Sequence, residues 1–128
     1  MPNEIIANEW FAKGEEDLMA AQTLLEESTT PNVICFLCQQ IAEKYLKGFL
    51  VFWEQEIEKI HSIERLLEMC AKIKLEFNEL AEPAAFLSTF YIQTRYPGDF
   101  PNFSFNDAKQ ALQSAKDIKE MVVSNCKL

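Results

Sequence analysis

The sequence predicts an all-α protein, an antiparallel bundle of four to five helices forming one domain over residues 1–128. Three observations carry this. Apolar residues recur at spacings of three and four along every long window, and no period-two alternation competes with them. Only three glycines are present, so turns are few and the elements between them long. The connections between periodic stretches are mostly short, which sets consecutive helices side by side and antiparallel. With 48% apolar residues, the chain can build a core at this size without staples.

The first helix is expected over about residues 7 to 27. Ala7, Phe11, Gly14, Leu18, Ala21 and Leu25 fall on one face, and Glu9, Glu15 and Glu16 fall off it, on what reads as a solvated side. The turn "STTPN" follows, and Pro31 is suited to the first position of the next helix. That second helix runs from Pro31 to about Glu54. Ile34, Leu37, Cys38, Ile41, Ala42, Tyr45, Leu46, Phe49, Phe52 and Trp53 fill about half its circumference, more than an ordinary surface helix buries. The other half carries Gln39, Gln40, Glu43, Lys44 and Lys47, interrupted by Phe36, Leu50 and Val51. Such a mixed face suits a subunit interface or a ligand groove, and the helix reads as the central one.

After "EQEIEKIHS", a third helix is expected over about residues 62 to 74, with Ser62 as N-cap and Glu64 where the helix dipole favours an acid. A fourth spans about 79 to 95, with Leu80, Ala84, Leu87 and Tyr91 on one face and Pro83 near its first turn. Pro97 disfavours helical geometry at Tyr96 and so stops it at about Arg95. Residues 97 to 104 read as an aromatic loop, pinned to the bundle by Phe100, Phe103 and Phe105. Ser104 and Asp107 have capping-box spacing, and a fifth helix continues to about Asn125 with Ala108, Ala111, Ala115, Ile118 and Val122 on one face.

Charge and composition narrow the function. A net charge of −8 opposes a general electrostatic grip on nucleic acid. No apolar run reaches the length of a membrane span. The opening "MPNEIIANEW" has acidic and no basic residues, the wrong charge for a secretory signal, so a cytoplasmic protein is expected. Cys35 and Cys38 form a CxxC, but there is no second CxxC and His61 is the only histidine, so both cysteines read as packing side chains. No glycine-rich phosphate loop, Ser-His-Asp set or metal motif appears, and no cofactor is expected.

Two stretches add specificity. One is "CFLCQQIAEKYLKGFLV" (residues 35 to 51) with "HSIERLLEMC" after it; the other is "YIQTRYPGDFP" with "DAKQALQSAKDIKEMV" after it. In this order they resemble the HEPN family (higher eukaryotes and prokaryotes nucleotide-binding domain), from Trp10 to Val122. The residues that match are Gln39, Gln40, Ala42, Glu43, Lys44, Leu46 and Lys47; His61 with Leu66 and Leu67; and Thr94, Arg95, Tyr96 and Pro97. The resemblance implies a helical bundle that usually dimerises, often beside a minimal nucleotidyltransferase that it binds. Some members are proposed to bind nucleotides. Others are ribonucleases with an arginine followed four to six residues later by a histidine. Here no histidine follows Arg95. The expectation is therefore a non-catalytic binding module, a homodimer associated with a minimal nucleotidyltransferase and able to take a nucleotide phosphate. The alternative is an endoribonuclease toxin of a toxin–antitoxin pair with a rearranged site.

The candidate ligand residues are Arg95, Tyr96, Lys44, Lys47, His61 and Asp99. Arg95 is either an anion-recognising fork or a helix-end cation paired with Asp99. Tyr96 either stacks on a base or packs beside proline. Lys44 and Lys47 are either a phosphate-facing or partner-facing pair or part of a solvated strip with Glu43 and Gln40, and His61 doubles as a helix-start residue. The candidate dimer contacts are Phe36, Gln40, Leu50 and Val51.

Overall fold

The computed structural model describes residues 3–57, 59–90 and 102–126. Among these are helices α1 (Glu4–Glu26), α2 (Pro31–Phe52), α3 (Ile63–Ile73), α4 (Ala81–Ser88) and α5 (Phe105–Ser124), with a 3-10 segment (Leu75–Leu80) leading into α4. The fold is all-α, as the periodicity predicts. No helix among the described residues is long and apolar enough to cross a membrane.

α1 and α2 pack antiparallel at close range. Asn3 caps α1 by accepting from the Ile6 N–H, and its own N–H donates to the Phe52 carbonyl at 2.9 Å, tying the start of α1 to the end of α2. Two glycines permit the approach. A Cβ on Gly14 would lie 2.7 Å from the Tyr45 ring, and one on Gly48 would collide with the Phe11 ring. Phe11 and Tyr45 themselves stack with centroids 5.4 Å apart. The expected stripe on α1 is real: Ala7, Gly14, Leu18 and Ala21 are buried, with Phe11 and Leu25 packed against the core.

α2 is the central element and buries residues around most of its circumference. Pro31 sits in its first turn, after Thr30 in a left-handed conformation (φ 48°). α5 runs alongside α2 in the same sense. The Phe103 N–H just before α5 donates to Asn32 Oδ1 at the start of α2 (2.8 Å), while Lys119 far along α5 lies over the Tyr45 ring. The connection between α2 and α3 carries the chain back along α2, so that His61 at its end reaches Glu43 in mid-helix.

Ser62 caps α3 by accepting from the Arg65 N–H, and Ser104 and Asp107 form the expected capping box on α5. The start of the fourth helix differs from expectation. Residues 75 to 80 form a 3-10 segment, and the α-helix begins at Ala81. Pro83 is then its third residue, where a missing N–H costs no intrahelical bond. The expected end at Arg95, and Tyr91 and Phe100, lie outside the described residues. Phe90 and Phe103 meet edge to face at 4.7 Å and Phe49 packs on Phe77 at 4.6 Å, which fastens α4 and its neighbours to α2. Phe105, expected to pin the loop, is 37% exposed.

Candidate functional site

The mixed face of α2 is where the chemistry collects. Gln39, Glu43 and Lys47 recur at spacings of four, so they stack along one line of the helix. All three are buried, at 0%, 7% and 5% exposure. Burying charge costs several kcal/mol per ion, of order 2 to 7 for an unpaired polar group, unless partners are built around it. They are built here. Gln40 Nε2 donates to Gln39 Oε1 (2.7 Å), and Gln39 Nε2 donates to Glu43 Oε1 (3.3 Å). Lys47 Nζ donates to Glu43 Oε2 (2.9 Å), and His61 Nδ1 lies 3.2 Å from the same oxygen. Glu43 is thus the hub of a network joining α2 to the residue before α3. From α1, Trp10 completes it, with Lys47 Nζ 5.5 Å from the indole centroid. Among the described residues no buried side-chain nitrogen or oxygen lacks a partner.

A second polar cluster sits on the other flank of α2. Tyr45 donates its hydroxyl proton to Glu15 Oε2 (2.8 Å), and Lys119 Nζ donates to the same oxygen at 2.6 Å while lying over the Tyr45 ring. The Lys119 hydrogen bond holds the Glu15 carboxyl below its ordinary range, against the opposing effect of burial. Burial, and then the Glu15 carboxylate, push the Tyr45 phenol well up, so it stays a donor. Glu15 is therefore not on a freely solvated side, a correction to the expectation from periodicity. The reason lies in α5, which brings Lys119 to it from the far end of the sequence.

The residues expected at a site divide accordingly. Lys44 and Lys47 do not form a free pair: Lys44 is bonded to Asp17 and Lys47 to Glu43. His61 joins Lys47 through Glu43, with its side chain 49% exposed. Arg95, Tyr96 and Asp99 lie outside the described residues. Of the expected dimer contacts, Phe36, Gln40 and Val51 are half-buried. Leu50 is corrected: it is 0% exposed within its own chain, part of the core, and offers nothing to a second subunit. Its angular position falls among polar residues, but the neighbouring elements close over that side of α2 as well.

Cys35 and Cys38 are fully buried free thiols. Burial pushes both up to about 12, so neither is a thiolate near neutral pH. No group of histidine, cysteine or acidic residues able to hold a metal ion occurs among the described residues.

Sequence reasoning passed over Trp10 and Lys13. With Asp17 they form a line on α1 beside the apolar stripe, and Trp10, Lys13 and Glu9 border a surface cavity of about 380 Å³. The available signal was an indole at the edge of an apolar face with a lysine one turn on.

Comparisons with known proteins agree with this architecture. The model of the HEPN domain matches residues 7–126. The crystal structure of ST0689, an archaeal HEPN homologue, superposes with a TM-score of 0.77 at 28% identity, over 94% of this chain and 98% of that one. The crystal structure of TT1696 from Thermus thermophilus superposes with a TM-score of 0.75 at 30% identity, over 92% of this chain and 96% of that one. No curated protein matches.

Proposed function

The chain belongs to the HEPN domain family, and from that premise we propose that it is a non-catalytic binding module of the cytoplasm. It forms a homodimer, associates with a minimal nucleotidyltransferase and holds a nucleotide phosphate. Arg95, Tyr96 and Asp99 supply anion recognition, together with Lys44 and Lys47, whose ammonium groups are also bonded to Asp17 and Glu43. The observation that supports this most is the Glu43–Lys47 pair. A buried ion pair adds little net stability compared with apolar residues of the same volume, so its presence on the central helix fits a functional role better than a packing need. Half-buried Phe36, Gln40 and Val51 on the same helix supply the dimer contact.

Sedimentation at micromolar concentration tests the reading, with the chain alone and mixed with a minimal nucleotidyltransferase from the same genome. The expected results are a dimer alone, shifted toward monomer by Val51→Glu, and a heavier complex in the mixture. A clean monomer that stays separate from the enzyme overturns it. Leu50→Glu is unsuitable here, because it would put a charge into the core.

One observation favours the endoribonuclease alternative. His61 is half-exposed and its Nδ1 faces a carboxylate, the arrangement that orients a general base. The purified protein is nevertheless expected to leave RNA uncut. Cleavage that His61→Ala abolishes would replace the binding-module reading with the enzymatic one.

A further inference from the structure

Apolar side chains are left uncovered at the end of the bundle where α1 begins and α2 and α5 stop. The Asn3 N–H bond to the Phe52 carbonyl joins two of these helix ends, and α5 arrives there in the same sense as α2. Ile5 (77% exposed), Ile6, Trp53 and Val123 all lie toward this end, open to solvent. The charges on these same helix ends are of one sign. Glu4 stands in the first turn of α1, Glu54 and Glu56 follow α2, and Glu120 lies one turn before Val123; all four are exposed. Among the described residues no lysine or arginine occupies the last turn of α2 or α5, so the negative ends of both helix dipoles add to the same field.

The end of α2 is strained where it forms this surface. The Gln55 N–H donates to the Leu50 carbonyl (2.8 Å) and the Glu54 N–H to the Val51 carbonyl (2.9 Å), the paired bonds of a Schellman turn. The residue between Trp53 and Gln55 must then be left-handed, a place ordinarily given to glycine. Here it is Glu54, at φ 60°. A carboxylate is kept where glycine would be less strained, and residues held in this way concentrate at functional surfaces. Just before it, Trp53 is set edge-on against buried Phe52, with centroids 5.2 Å apart, and its other side is exposed. Tryptophan is among the side chains that most often anchor a protein contact, and one already held in place loses little freedom on binding.

We propose that this end of the bundle docks a cationic amphipathic segment of a partner protein. Trp53 and Ile5 take its apolar side, and Glu54 and Glu56 take its lysines or arginines. Charge decides the occupant. A phosphate-bearing lipid or nucleic acid meets a repelling field, and a second copy would set the same glutamates against their equivalents. The surface is separate from the dimer contact given to α2, because Trp53 and Val51 stand about 200° apart around the helix. It is also independent of the nucleotidyltransferase reading.

The probe is an amidated amphipathic peptide of leucine and lysine, about four helical turns long. The chain has two tryptophans, so a Trp10→Phe background leaves Trp53 as the sole reporter. Its emission should shift saturably to the blue with the lysine peptide and stay unchanged with the same peptide carrying glutamate for lysine. In calorimetry on the chain with Trp10 intact, Trp53→Ala should weaken the lysine peptide about tenfold or more. Ile5→Ser, at the exposed start of α1, should weaken it about threefold. Glu54→Gly should also weaken it about threefold while raising the thermal midpoint, a combination that a merely structural Glu54 does not give. Equal affinity in wild type, Trp53→Ala and Glu54→Gly overturns the proposal, as does no binding of the lysine peptide. Phosphatidylglycerol vesicles bound in preference to the peptide would give the surface to a membrane. Self-association abolished by Trp53→Ala would give it to a second copy. Either result also overturns the proposal.

Discussion

The two flanks of α2 each carry a lysine–carboxylate pair, and they differ in how much water reaches them. On one flank, Lys119 and Glu15 keep 30% and 44% of their side-chain surface. On the other, Lys47 and Glu43 keep 6% and 9%. The bonds have similar lengths, 2.6 Å and 2.9 Å. The difference lies in what happens when one partner is lost. Water can take over from Lys119, and salt screens the pair, so such exposed pairs contribute roughly 0–1 kcal/mol. Nothing comparable reaches Glu43, so its charge depends on the partners built around it.

The largest expected effect follows from that contrast. Lys47→Ala leaves the Glu43 carboxylate buried with a cation removed, and should cost about 3–5 kcal/mol in urea unfolding. Replacing both partners, Lys47→Met with Glu43→Leu, should recover most of the loss, because the desolvation cost disappears together with the attraction. A double variant as unstable as Lys47→Ala would show that the flank is held by more than this pair. Gly48→Ala comes next. Its Cβ would collide with the Phe11 ring, which must shift within a packed α1–α2 contact. Overpacking of this kind costs about 1–3 kcal/mol, partly offset by the better helix propensity of alanine. An unchanged midpoint would mean that the Phe11 ring moves aside freely.

The same contrast explains what the sequence could and could not disclose. The apolar stripes of α1 and α5, the caps at Ser62 and Ser104 and the helix start at Pro31 depend on neighbours within a few residues, and all were legible. The capping-box spacing of Ser104 and Asp107 became two hydrogen bonds as read. Burial of Gln39, Glu43 and Lys47 was not legible, because it depends on Trp10 from α1 and on His61 from a returning connection. Leu50 was misplaced for the same reason: a helix enclosed on nearly all sides buries residues that periodicity assigns to a polar face. At the candidate site, individual residue types were visible, and their pairing was not. Lys44 and Lys47 read either as a ligand- or partner-facing pair or as a solvated strip with Glu43 and Gln40; the Asp17 partner on α1 and the burial of the Glu43–Lys47 pair were not visible.

The smallest expected effect belongs to the exposed flank and concerns pH. The Lys119 hydrogen bond lowers the folded-state pKa of Glu15 below its ordinary value, so the folded form binds its proton less readily than the unfolded chain does. The contribution is then fully present above the unfolded pKa and is lost as pH falls through the depressed folded value. Tyr45 acts at the other limit: its pKa is raised, so its contribution holds through neutrality and fails only when strongly basic pH removes the phenolic proton. Across the neutral range the Tyr45–Glu15–Lys119 bonds should stay intact. Unfolding midpoints of wild type and Glu15→Gln, followed from neutral pH into the acid range, should differ slightly at neutral pH and converge as Glu15 protonates. The difference should also shrink in high salt, since screening reaches this flank. A gap that persists at low pH and in high salt would mean that Glu15 acts through packing around the Tyr45 hydroxyl and not through charge. The two flanks of α2 would then differ in shape as well as in access to water.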